Sequence, residues 1–365
     1  MVIGNMYGLM LRSCKGLIMS NFWSKRKVLI TGHTGFKGSW LTIILESLGA
    51  DICGISLPED SLKGLFARSE ISKKINHSIC DINNREKLIK IVNDFQPEFI
   101  FHMAAQPLVR YSYKNAHETF NTNIVGSLNV LDAGLYCNNL KSFIFITTDK
   151  VYKNKEWDKP YSENDELGGH DPYSSSKACS EILAMSYRKS FYEERNIPIC
   201  TVRAGNVIGG GDWSQDRLVP DIIRSIQNEN ELEIRSAKAI RPWQHVLEPI
   251  FGYVSIAEKG YKNMTFNEAF NFGPDTEGIV DVETIVKKVK KIDNRLNYKI
   301  IEKPSLHEAK LLKLNISKVK NILNWKPKLD IDSALKFTLD WYHAENANLD
   351  IYEFTRQQIK EYIEL

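Results

Sequence analysis

Residues 27–40, KVLITGHTGFKGSW, contain a strand pattern, a glycine-rich turn and a helix pattern in direct succession. Val28–Thr31 is a short apolar run typical of a buried strand, and a helical pattern follows over residues 40–48. Three glycines spaced three residues apart lie between them: Gly32, Gly35 and Gly38. Glycine permits a tight turn and the close approach of a pyrophosphate, and the helix N-terminus presents free N–H groups to that anion. The stretch therefore predicts a nucleotide-binding turn.

The glycine spacing distinguishes this turn from two common phosphate-binding motifs. It is G-x-x-G-x-x-G and not G-x-G-x-x-G, and Lys37 precedes the last glycine, whereas the lysine of a Walker A motif follows it. A tight turn without a ligand is the alternative, but the strand before the turn and the helix after it favour nucleotide binding. The expected cofactor contacts of the turn are Gly32, His33, Thr34, Gly35, Phe36, Lys37 and Gly38.

Composition and charge exclude several functional classes. The net charge of +3 over 365 residues is too small to indicate a nucleic-acid partner or an anionic membrane. No run of 18 apolar residues is present, so no membrane-spanning helix is expected. The six cysteines lie far apart, without C-x-x-C pairs or histidines at metal spacing. They predict reduced, buried thiols in a cytoplasmic protein, and no metal site.

The order of strand and helix patterns predicts the domain organisation. Strands alternate with helices up to about residue 200, which is typical of a Rossmann-like α/β fold with a doubly wound parallel sheet. After Gly205 shorter strands, helices and aromatic loops indicate a smaller, mixed substrate-binding domain. The expected segments are a tail or start-site extension (1–22), the Rossmann domain (23–205), the substrate domain with some segments returning to the first (206–345), and a C-terminal helix or tail (346–365).

The second predicted strand, 52–56, bears on the choice of cofactor. In many NAD sites an acidic residue at the end of this strand binds the ribose hydroxyls, whereas here Leu57 and Pro58 follow the strand. No arginine follows that would favour a 2′-phosphate, so NAD is expected in preference to NADP. The fourth strand ends at Ala104 and Ala105, small residues that let a cofactor lie against the backbone.

A Y-x-x-x-K pattern, Tyr173 and Lys177, begins another predicted helix. The four-residue spacing places both side chains on one face, where an ammonium favours the phenolate and lowers the pKa of the tyrosine. Such a tyrosine can take a proton from an alcohol while hydride leaves for a nicotinamide. A solvated helix face is the alternative, and the glycine turn upstream favours catalysis.

Polar residues follow the fifth predicted strand: Thr147, Thr148, Asp149 and Lys150. Ligands of open α/β sheets bind at the carboxyl ends of the strands. A hydroxyl, a carboxyl and an ammonium there offer a hydrogen-bond donor, a proton donor and a base. A polar turn after a buried strand is the alternative interpretation.

Together these features resemble the extended short-chain dehydrogenase/reductase family over about residues 25–345. The resemblance rests on the glycine turn, HMAA (102–105), Thr148, and Tyr173 with Lys177. Longer stretches resemble the nucleotide-sugar 4,6-dehydratases within that family: GHTGFKGSWL (32–41), AAQPLVRYSY (104–113), TTDKVY (147–152), GGHDPYSSSKACSE (168–181), RAGNVIGGGDWSQDRLVPD (203–221) and RPWQHVLEP (241–249). Related dehydratases usually carry Asp-Glu where this chain has Asp149-Lys150, a pair that resembles the branch acting on CDP-glucose.

The resemblance implies an NAD-dependent hydro-lyase with an internal redox cycle. Tyr173, supported by Lys177 and Thr148, would remove the proton of the sugar 4-OH as hydride passes from C4 to NAD. Lys150, when deprotonated, would take the C5 proton, and Asp149 would protonate the departing 6-OH before hydride returns to C6. The product would be CDP-4-dehydro-6-deoxyglucose, a precursor of deoxysugars in O-antigen-type polysaccharides.

The resemblance also assigns binding residues. Cofactor contacts beyond the glycine turn would be Asp81 at the adenine edge, Ile82, Ala104, Ala105, Gln106, Asn123, Thr147, Tyr173 and Lys177. Substrate contacts would be Gln106, Arg110, Asn206, Arg217, Leu218, Arg241, Trp243 and His245, with Arg217 and Arg241 facing the diphosphate. A helix cap for Asp81, surface positions for the arginines, and ordinary packing for Trp243 and His245 are the alternatives.

Members of this family usually dimerise through a four-helix bundle, so a homodimer or homotetramer is expected. The bundle would use helices near 117–137 and 174–195, whose outer faces hold Ile182, Met185 and Phe191. A dehydratase for another nucleotide, a 4-epimerase, a ketone reductase and a non-catalytic NAD-sensing protein are the functional alternatives. An epimerase expels no water and needs no acid at Asp149, and a sensor needs none of the catalytic group.

Overall fold

The computed structural model describes residues 21–59, 61–301 and 312–365, so the tail expected over 1–22 lies almost entirely outside the described residues. The strands are β1 (Lys27–Thr31), β2 (Asp51–Ser56), β3 (Asn76–Ile79), β4 (Phe99–His102), β5 (Ser142–Ile146), β6 (Ile199–Ala204), β7 (Asn206–Ile208), β8 (Leu232–Ile234), β9 (Ile240–His245), β10 (Ala269–Phe272), β11 (Ile279–Asp281) and β12 (Tyr298–Ile300). The helices are α1 (Phe36–Ser47), α2 (Leu65–Ser69), α3 (Arg85–Phe95), α4 (Val109–Lys114), α5 (Ala116–Phe120), α6 (Ser127–Gly134), α7 (Pro172–Tyr187), α8 (Leu218–Gln227), α9 (Leu247–Lys259), α10 (Val282–Ile292), α11 (Ser317–Leu323), α12 (Ile331–Asn346) and α13 (Ile351–Glu364).

Two long helices contain π-helical turns. The turn Asn121–Gly126 joins α5 to α6, so one helix runs from Ala116 to Gly134. The turn Arg188–Tyr192 extends α7 in the same way. α7 begins sharply because Asp171 accepts a hydrogen bond from the Ser174 N–H and Pro172 occupies the first turn. This start fixes where Tyr173 and Lys177 lie relative to the sheet.

The large sheet has seven strands in the order β10-β6-β5-β4-β1-β2-β3, and every pair in it is parallel. The strand order reverses between β1 and β4, which makes the carboxyl ends of these strands the expected ligand-binding edge. The prediction of a Rossmann-like doubly wound sheet is therefore confirmed. β10 comes from the second half of the chain and pairs with β6 at the edge, with Phe270 opposite Val202.

The second half of the chain also forms two small sheets beside the carboxyl edge of the large one. One has the order β11-β9-β7, with β9 parallel to β7 and antiparallel to β11, and the other pairs β12 with β8. α13 packs against α12 and returns to α1 and α2, where the Tyr352 hydroxyl donates to Glu46 Oε2 at 2.6 Å. The two halves of the chain are thus packed together behind the glycine turn.

The core contains apolar side chains from both halves. Trp40 of α1 is fully buried and its indole N–H donates to the Gly210 carbonyl at 2.9 Å, which holds α1 against the loop after β7. The described cysteines are unpaired, and Cys53, Cys80, Cys137 and Cys200 are buried as predicted, whereas Cys179 is partly exposed. Within the described residues, no helix has the length and apolarity needed to cross a membrane.

The glycine turn depends on two close backbone approaches. Gly32 has φ +76°, and a Cβ there would lie 2.6 Å from the backbone nitrogen of Ala104. A Cβ on Gly38 would lie 2.1 Å from the Gly32 carbonyl oxygen, where α1 starts against the turn. Larger side chains cannot be accommodated without moving backbone, so these two glycines set the distance between β1, β4 and α1.

We expect Gly32→Ala to destabilise the protein by roughly 1–3 kcal/mol, because alanine would be strained at this φ and its methyl group would overlap Ala104. Gly273→Ala is the control, since its Cβ would have nothing nearer than 3.6 Å and its φ is not positive. Chemical denaturation of both variants measures the difference. Equal stability of the two variants would contradict the packing argument.

Candidate active site

A cavity of about 1370 Å³ opens along the carboxyl edge of the large sheet and is closed on the far side by β7, β9 and α8. On the sheet side it is lined by these residues that the sequence predicts: Gly32, Thr34, Gly35, Phe36, Lys37, Gly38, Asp81, Ile82, Ala104, Ala105, Thr147, Thr148, Asp149, Lys150, Tyr173 and Lys177. Arg110 of α4 also lines the sheet side, and the far side is lined by Asn206, Arg217, Leu218, Arg241 and Trp243. The fold thus brings residues far apart in sequence to one cavity.

The glycine turn forms one end of this cavity. Gly35 is the N-cap of α1, so the N–H groups of the first helical turn face the cavity and the positive end of the helix dipole lies there. Thr34 Oγ1 lies 2.7 Å from Ser56 Oγ and donates to the Leu57 carbonyl at 3.1 Å, which ties the turn to the end of β2. This end of the cavity is built to receive phosphate oxygens.

Lys37 extends the turn towards the centre of the cavity. Burial, together with the charges of Arg217, Lys177 and Lys150, lowers the pKa of its ammonium to about 7, and Asp149 opposes the shift. Lys37 therefore lies within electrostatic range of three other basic side chains and of the Asp149 carboxylate. Sequence analysis assigned Lys37 to the cofactor turn without detecting that it lies beside the residues that follow β5.

Asp149 is the most deeply buried group among the polar residues that follow β5. Its side chain is 1% exposed, and Oδ1 accepts a hydrogen bond from Thr148 Oγ1 at 2.9 Å and lies 3.4 Å from Lys150 Nζ. Its Oδ2 has no hydrogen-bond partner in the part of the chain that the structure describes. Leaving a buried polar atom unpaired costs roughly 1–3 kcal/mol, so an unpaired oxygen on a residue that lines the cavity marks Asp149 as a candidate functional group.

Tyr173 and Lys177 lie on the cavity face of α7, as their spacing predicts. Burial raises the pKa of the Tyr173 phenol to about 12, and a hydrogen bond with Thr148 opposes the shift. Lys177 Nζ donates to the Ile146 carbonyl at 2.9 Å, and burial lowers its pKa to about 8. The expected lowering of the tyrosine pKa is therefore wrong for the protein alone, because desolvation of the phenolate outweighs the nearby positive charge.

A buried ion pair holds α7, which carries Tyr173 and Lys177, in place against the sheet. Arg203 of β6 binds Glu181 of α7 through two parallel contacts, Nε to Oε1 at 2.8 Å and Nη2 to Oε2 at 2.9 Å. Glu181 Oε1 also accepts from the Thr147 hydroxyl at 2.5 Å, and Arg203 Nη1 donates to the Tyr152 hydroxyl at 2.8 Å. β6, α7 and the segment after β5 are thereby fixed to one another.

The far wall of the cavity comes from β7, β9 and the start of α8. Asn206 begins β7 and pairs with Trp243 of β9, whose indole N–H donates to the Val280 carbonyl at 3.1 Å. Arg217 precedes α8, and its Nη1 lies 3.3 Å from Asp212 Oδ2. Arg241 is buried in β9. Two arginines and an amide therefore face the strand-end residues across the cavity.

Four predicted site residues do not line the cavity among the described residues: His33, Gln106, Asn123 and His245. The His33 ring is buried behind the turn, 2.7 Å from the His77 ring nitrogen, and burial lowers its pKa to about 4. His245 is fully buried between Trp40 and Phe337, so its assignment as a pocket wall is corrected. Both rings lie under the surface that a ligand would touch.

Gln106 and Asn123 support the backbone of the cavity wall. Asn123 is fully buried, and its amide bonds to the Gln106 N–H at 2.8 Å, the Gln106 carbonyl at 3.1 Å and Ser176 Oγ at 2.8 Å. The Gln106 side chain donates to Thr119 Oγ1 at 2.8 Å and accepts from the Leu108 N–H at 2.5 Å. The N–H donors of both amides are used within the protein, and neither side chain lines the cavity, so their expected binding roles change to positioning roles.

Two functional contributors were missed by sequence analysis. Glu181 lies four residues after Lys177 and eight after Tyr173, so the helical spacing on one face was an available signal. Gly205 was noted only as the point where the pattern changes, yet a Cβ there would lie 2.5 Å from Pro242 and 3.3 Å from Asp149 Oδ2. No local sequence signal indicates that contact, because it depends on how β6 meets β9.

Comparison with known proteins places this site in a family. The family described as GDP-mannose 4,6 dehydratase matches residues 29–338. A CDP-glucose 4,6-dehydratase from Salmonella typhimurium is 41% identical over 354 residues, covering 95% of this chain and 99% of that protein. The chain belongs to the nucleotide-sugar 4,6-dehydratases. A human dTDP-D-glucose 4,6-dehydratase is 25% identical over 335 residues, covering 88% of this chain and 91% of that protein.

Solved structures of this dehydratase and epimerase group share the fold. A dTDP-glucose 4,6-dehydratase from Bacillus anthracis, solved in complex with NAD, has a TM-score of 0.73 at 20% identity, covering 90% of this chain and 99% of that chain. A UDP-glucose 4-epimerase from Thermotoga maritima, solved with UDP-glucose, has a TM-score of 0.76 at 22% identity, covering 88% and 99%. The extended short-chain dehydrogenase/reductase resemblance is therefore confirmed at the level of the fold.

Proposed function

We propose that this chain is a CDP-glucose 4,6-dehydratase that works with bound NAD. The observation that carries the proposal is Asp149, which lines the cavity with Thr148, Lys150 and Tyr173 and whose buried Oδ2 has no hydrogen-bond partner among the described residues. A dehydratase needs an acid to expel the 6-hydroxyl, whereas an epimerase does not. The nucleotide assignment is supported by the 41% identity to the Salmonella enzyme over nearly the whole chain.

The residues present fit NAD at the glycine-turn end of the cavity. The close approaches at Gly32 and Gly38 and the free N–H groups of α1 suit a pyrophosphate, and Ala104 and Ala105 leave room beside β4. Asp81 lies at the cavity surface, where its Oδ1 accepts from the Asn83 N–H at 2.8 Å. Asn84, and not Asp81, caps α3, which leaves the other oxygen of Asp81 for an adenine or ribose group. When bound, NAD supplies the hydride acceptor and donor for the reaction.

Tyr173 begins the reaction by taking the proton of the sugar 4-hydroxyl. Its phenol is neutral at physiological pH because burial raises its pKa to about 12. The positive charges of Lys177 and of the oxidised cofactor would favour the phenolate once a substrate is in place. Thr148 contacts both Tyr173 and Asp149, so its hydroxyl holds these two side chains close together, where both can act on one sugar.

Elimination follows from the 4-ketone, which acidifies the hydrogen at C5. Lys150 Nζ is half-buried, lies 3.4 Å from Asp149 Oδ1 and takes the C5 proton in its neutral form. Asp149, in its protonated form, donates to the departing 6-hydroxyl, and water leaves. The bound cofactor would supply the hydride for C6 and a proton would return to C5, so that the sugar gains no net electrons.

Incubation with single nucleotide sugars, without added reduced cofactor, tests the proposed function. We expect the mass of CDP-glucose to fall by one water, and dTDP-glucose and GDP-mannose to remain unchanged. Loss of water from another substrate would support dehydratase activity and overturn the assignment of CDP-glucose as the substrate. Epimerised products without loss of water would overturn the dehydratase itself.

Two variants separate the first half of the reaction from the second. Asp149→Asn should lower dehydration by at least ~100-fold, the usual effect of losing a general acid, while the 4-ketone of intact CDP-glucose still forms. Tyr173→Phe should form neither product. Mass spectrometry of quenched single-turnover mixtures measures both species. Full dehydration by Asp149→Asn would remove Asp149 from the mechanism.

We also propose that two copies associate through the helices that run over 116–134 and 172–192. Ile182, Met185 and Phe191 are 53%, 42% and 46% exposed on the second of these helices, and Val125 is 42% exposed on the first. An apolar surface of this kind is typical of a subunit interface. The cytoplasmic location expected from the cysteine content stays a prediction.

Ile182→Glu combined with Met185→Glu should convert the oligomer to monomers, because each copy would bury two carboxylates in the interface between the two copies. Leu349→Glu is the control, since Leu349 is equally exposed, at 53%, but lies between α12 and α13. Sedimentation velocity measures the mass of each variant. A monomeric parent protein, or an unchanged oligomer in the double variant, would contradict this interface.

A further inference from the structure

The loop over residues 212–217, between β7 and α8, carries carboxylates that pair with arginines at the cavity. Asp216 Oδ1 lies 3.5 Å from Arg110 Nη1 and 3.6 Å from Arg235 Nη1. Arg110 belongs to α4 on the large-sheet side, and Arg235 directly follows β8. Asp216 therefore joins the two sides of the cavity through its charge. The neighbouring Arg217 is paired separately, with Asp212.

The two carboxylates of this loop differ in their surroundings. Asp212 is only 5% exposed, and its Oδ1 accepts from the Ser214 N–H at 3.0 Å, so it helps to shape the loop. Asp216 is 45% exposed and lies at the cavity surface with Arg110 and Arg217. A partly exposed carboxylate held by two arginines offers a pair of anionic acceptor oxygens to the guanidinium groups, as a phosphate group of a diphosphate does.

We propose that Asp216 is a built-in competing anion: it holds the guanidinium group of Arg110 at the cavity surface and must release it when the diphosphate of the nucleotide sugar binds. The inference rests on the proposed function, since it takes the sugar nucleotide to bind in this cavity, whose lining includes Arg110, Arg217 and Arg241. Asp216 is an affinity-determining residue and takes no part in the bond changes.

Displacement is favourable because of the difference in charge. Ion pairs at partly exposed positions are individually weak, whereas a diphosphate carries more charge and offers several oxygens to the planar guanidinium groups. Asp216 thus lowers the affinity for substrate and product together, and shields the arginines when the cavity holds no nucleotide. Since the product retains the whole CDP group, weaker diphosphate binding also speeds its release.

Asp216→Asn tests the proposal with little risk to folding, because Asp216 has φ +56° and asparagine accepts this conformation readily. We expect the dissociation constants of CDP and of inorganic pyrophosphate, measured by calorimetry, to fall about three- to tenfold, the scale of one or two exposed ion pairs. Asp216→Glu, which keeps the charge, should stay near the parent protein.

Glu166→Gln controls for the general increase in positive charge. Glu166 also lies at the cavity surface, but its carboxylate pairs with Lys153 at 2.7 Å and contacts none of these arginines. We expect its CDP affinity to match that of the parent protein. An equal gain in both variants would overturn the proposal, because the effect would then be one of overall charge.

Titration with NAD tests whether Asp216 competes with the diphosphate of the nucleotide sugar or with that of NAD. NAD affinity should be the same in Asp216→Asn and the parent protein, and a gain confined to NAD would overturn the assignment to the sugar nucleotide. Unchanged or weaker CDP binding in Asp216→Asn would overturn the competing-anion role. Tighter binding of CDP and pyrophosphate by a protein that does not dehydrate CDP-glucose would support this inference while the proposed function fails.

Discussion

The buried ion pair between Arg203 and Glu181 is the interaction on which the geometry of the site depends. Removing two charges from water is costly, and the cost is offset here by two short parallel contacts and by the hydroxyls of Thr147 and Tyr152. The pair joins β6 to α7, and α7 carries Tyr173 and Lys177. A shift of α7 along its axis would break both contacts, so the helix has one position relative to the strand ends. The catalytic groups are therefore placed by interactions that never touch a ligand.

The cavity is unusual in its charge balance. Lys37, Lys150, Lys177, Arg217 and Asp149 all line it, and burial lowers the pKa values of Lys37 and Lys177 towards the physiological range. Such a site attracts diphosphates and disfavours further positive charge. Two of its arginines are partly neutralised by Asp212 and Asp216, so the chain supplies its own counter-ions.

The sequence predicted the fold and most of the site because both depend on local patterns. The alternation of strands and helices predicted the doubly wound sheet. The ligand-binding edge then follows from the strand order, which reverses between β1 and β4. Residues 147–150 and Tyr173 with Lys177 could be placed at the same edge because strand ends and helix starts meet there. His33 and His245 were misplaced, since nothing in the local sequence tells which side of a turn or strand faces the cavity. In the structure His33 packs against His77 and His245 against Trp40.

By itself the sequence determined the glycine turn, the strand-end polar residues and the helical pair, because each is a short motif whose spacing is set by backbone geometry. Only the tertiary structure decided what surrounds them. The raised pKa of Tyr173, the approach of Lys37 to Asp149, the unpaired Asp149 oxygen and the bridge from Asp216 to Arg110 all join residues that are distant in the chain or depend on burial. Desolvation and charge–charge distance are properties of the packed molecule, so no spacing along the chain can encode them.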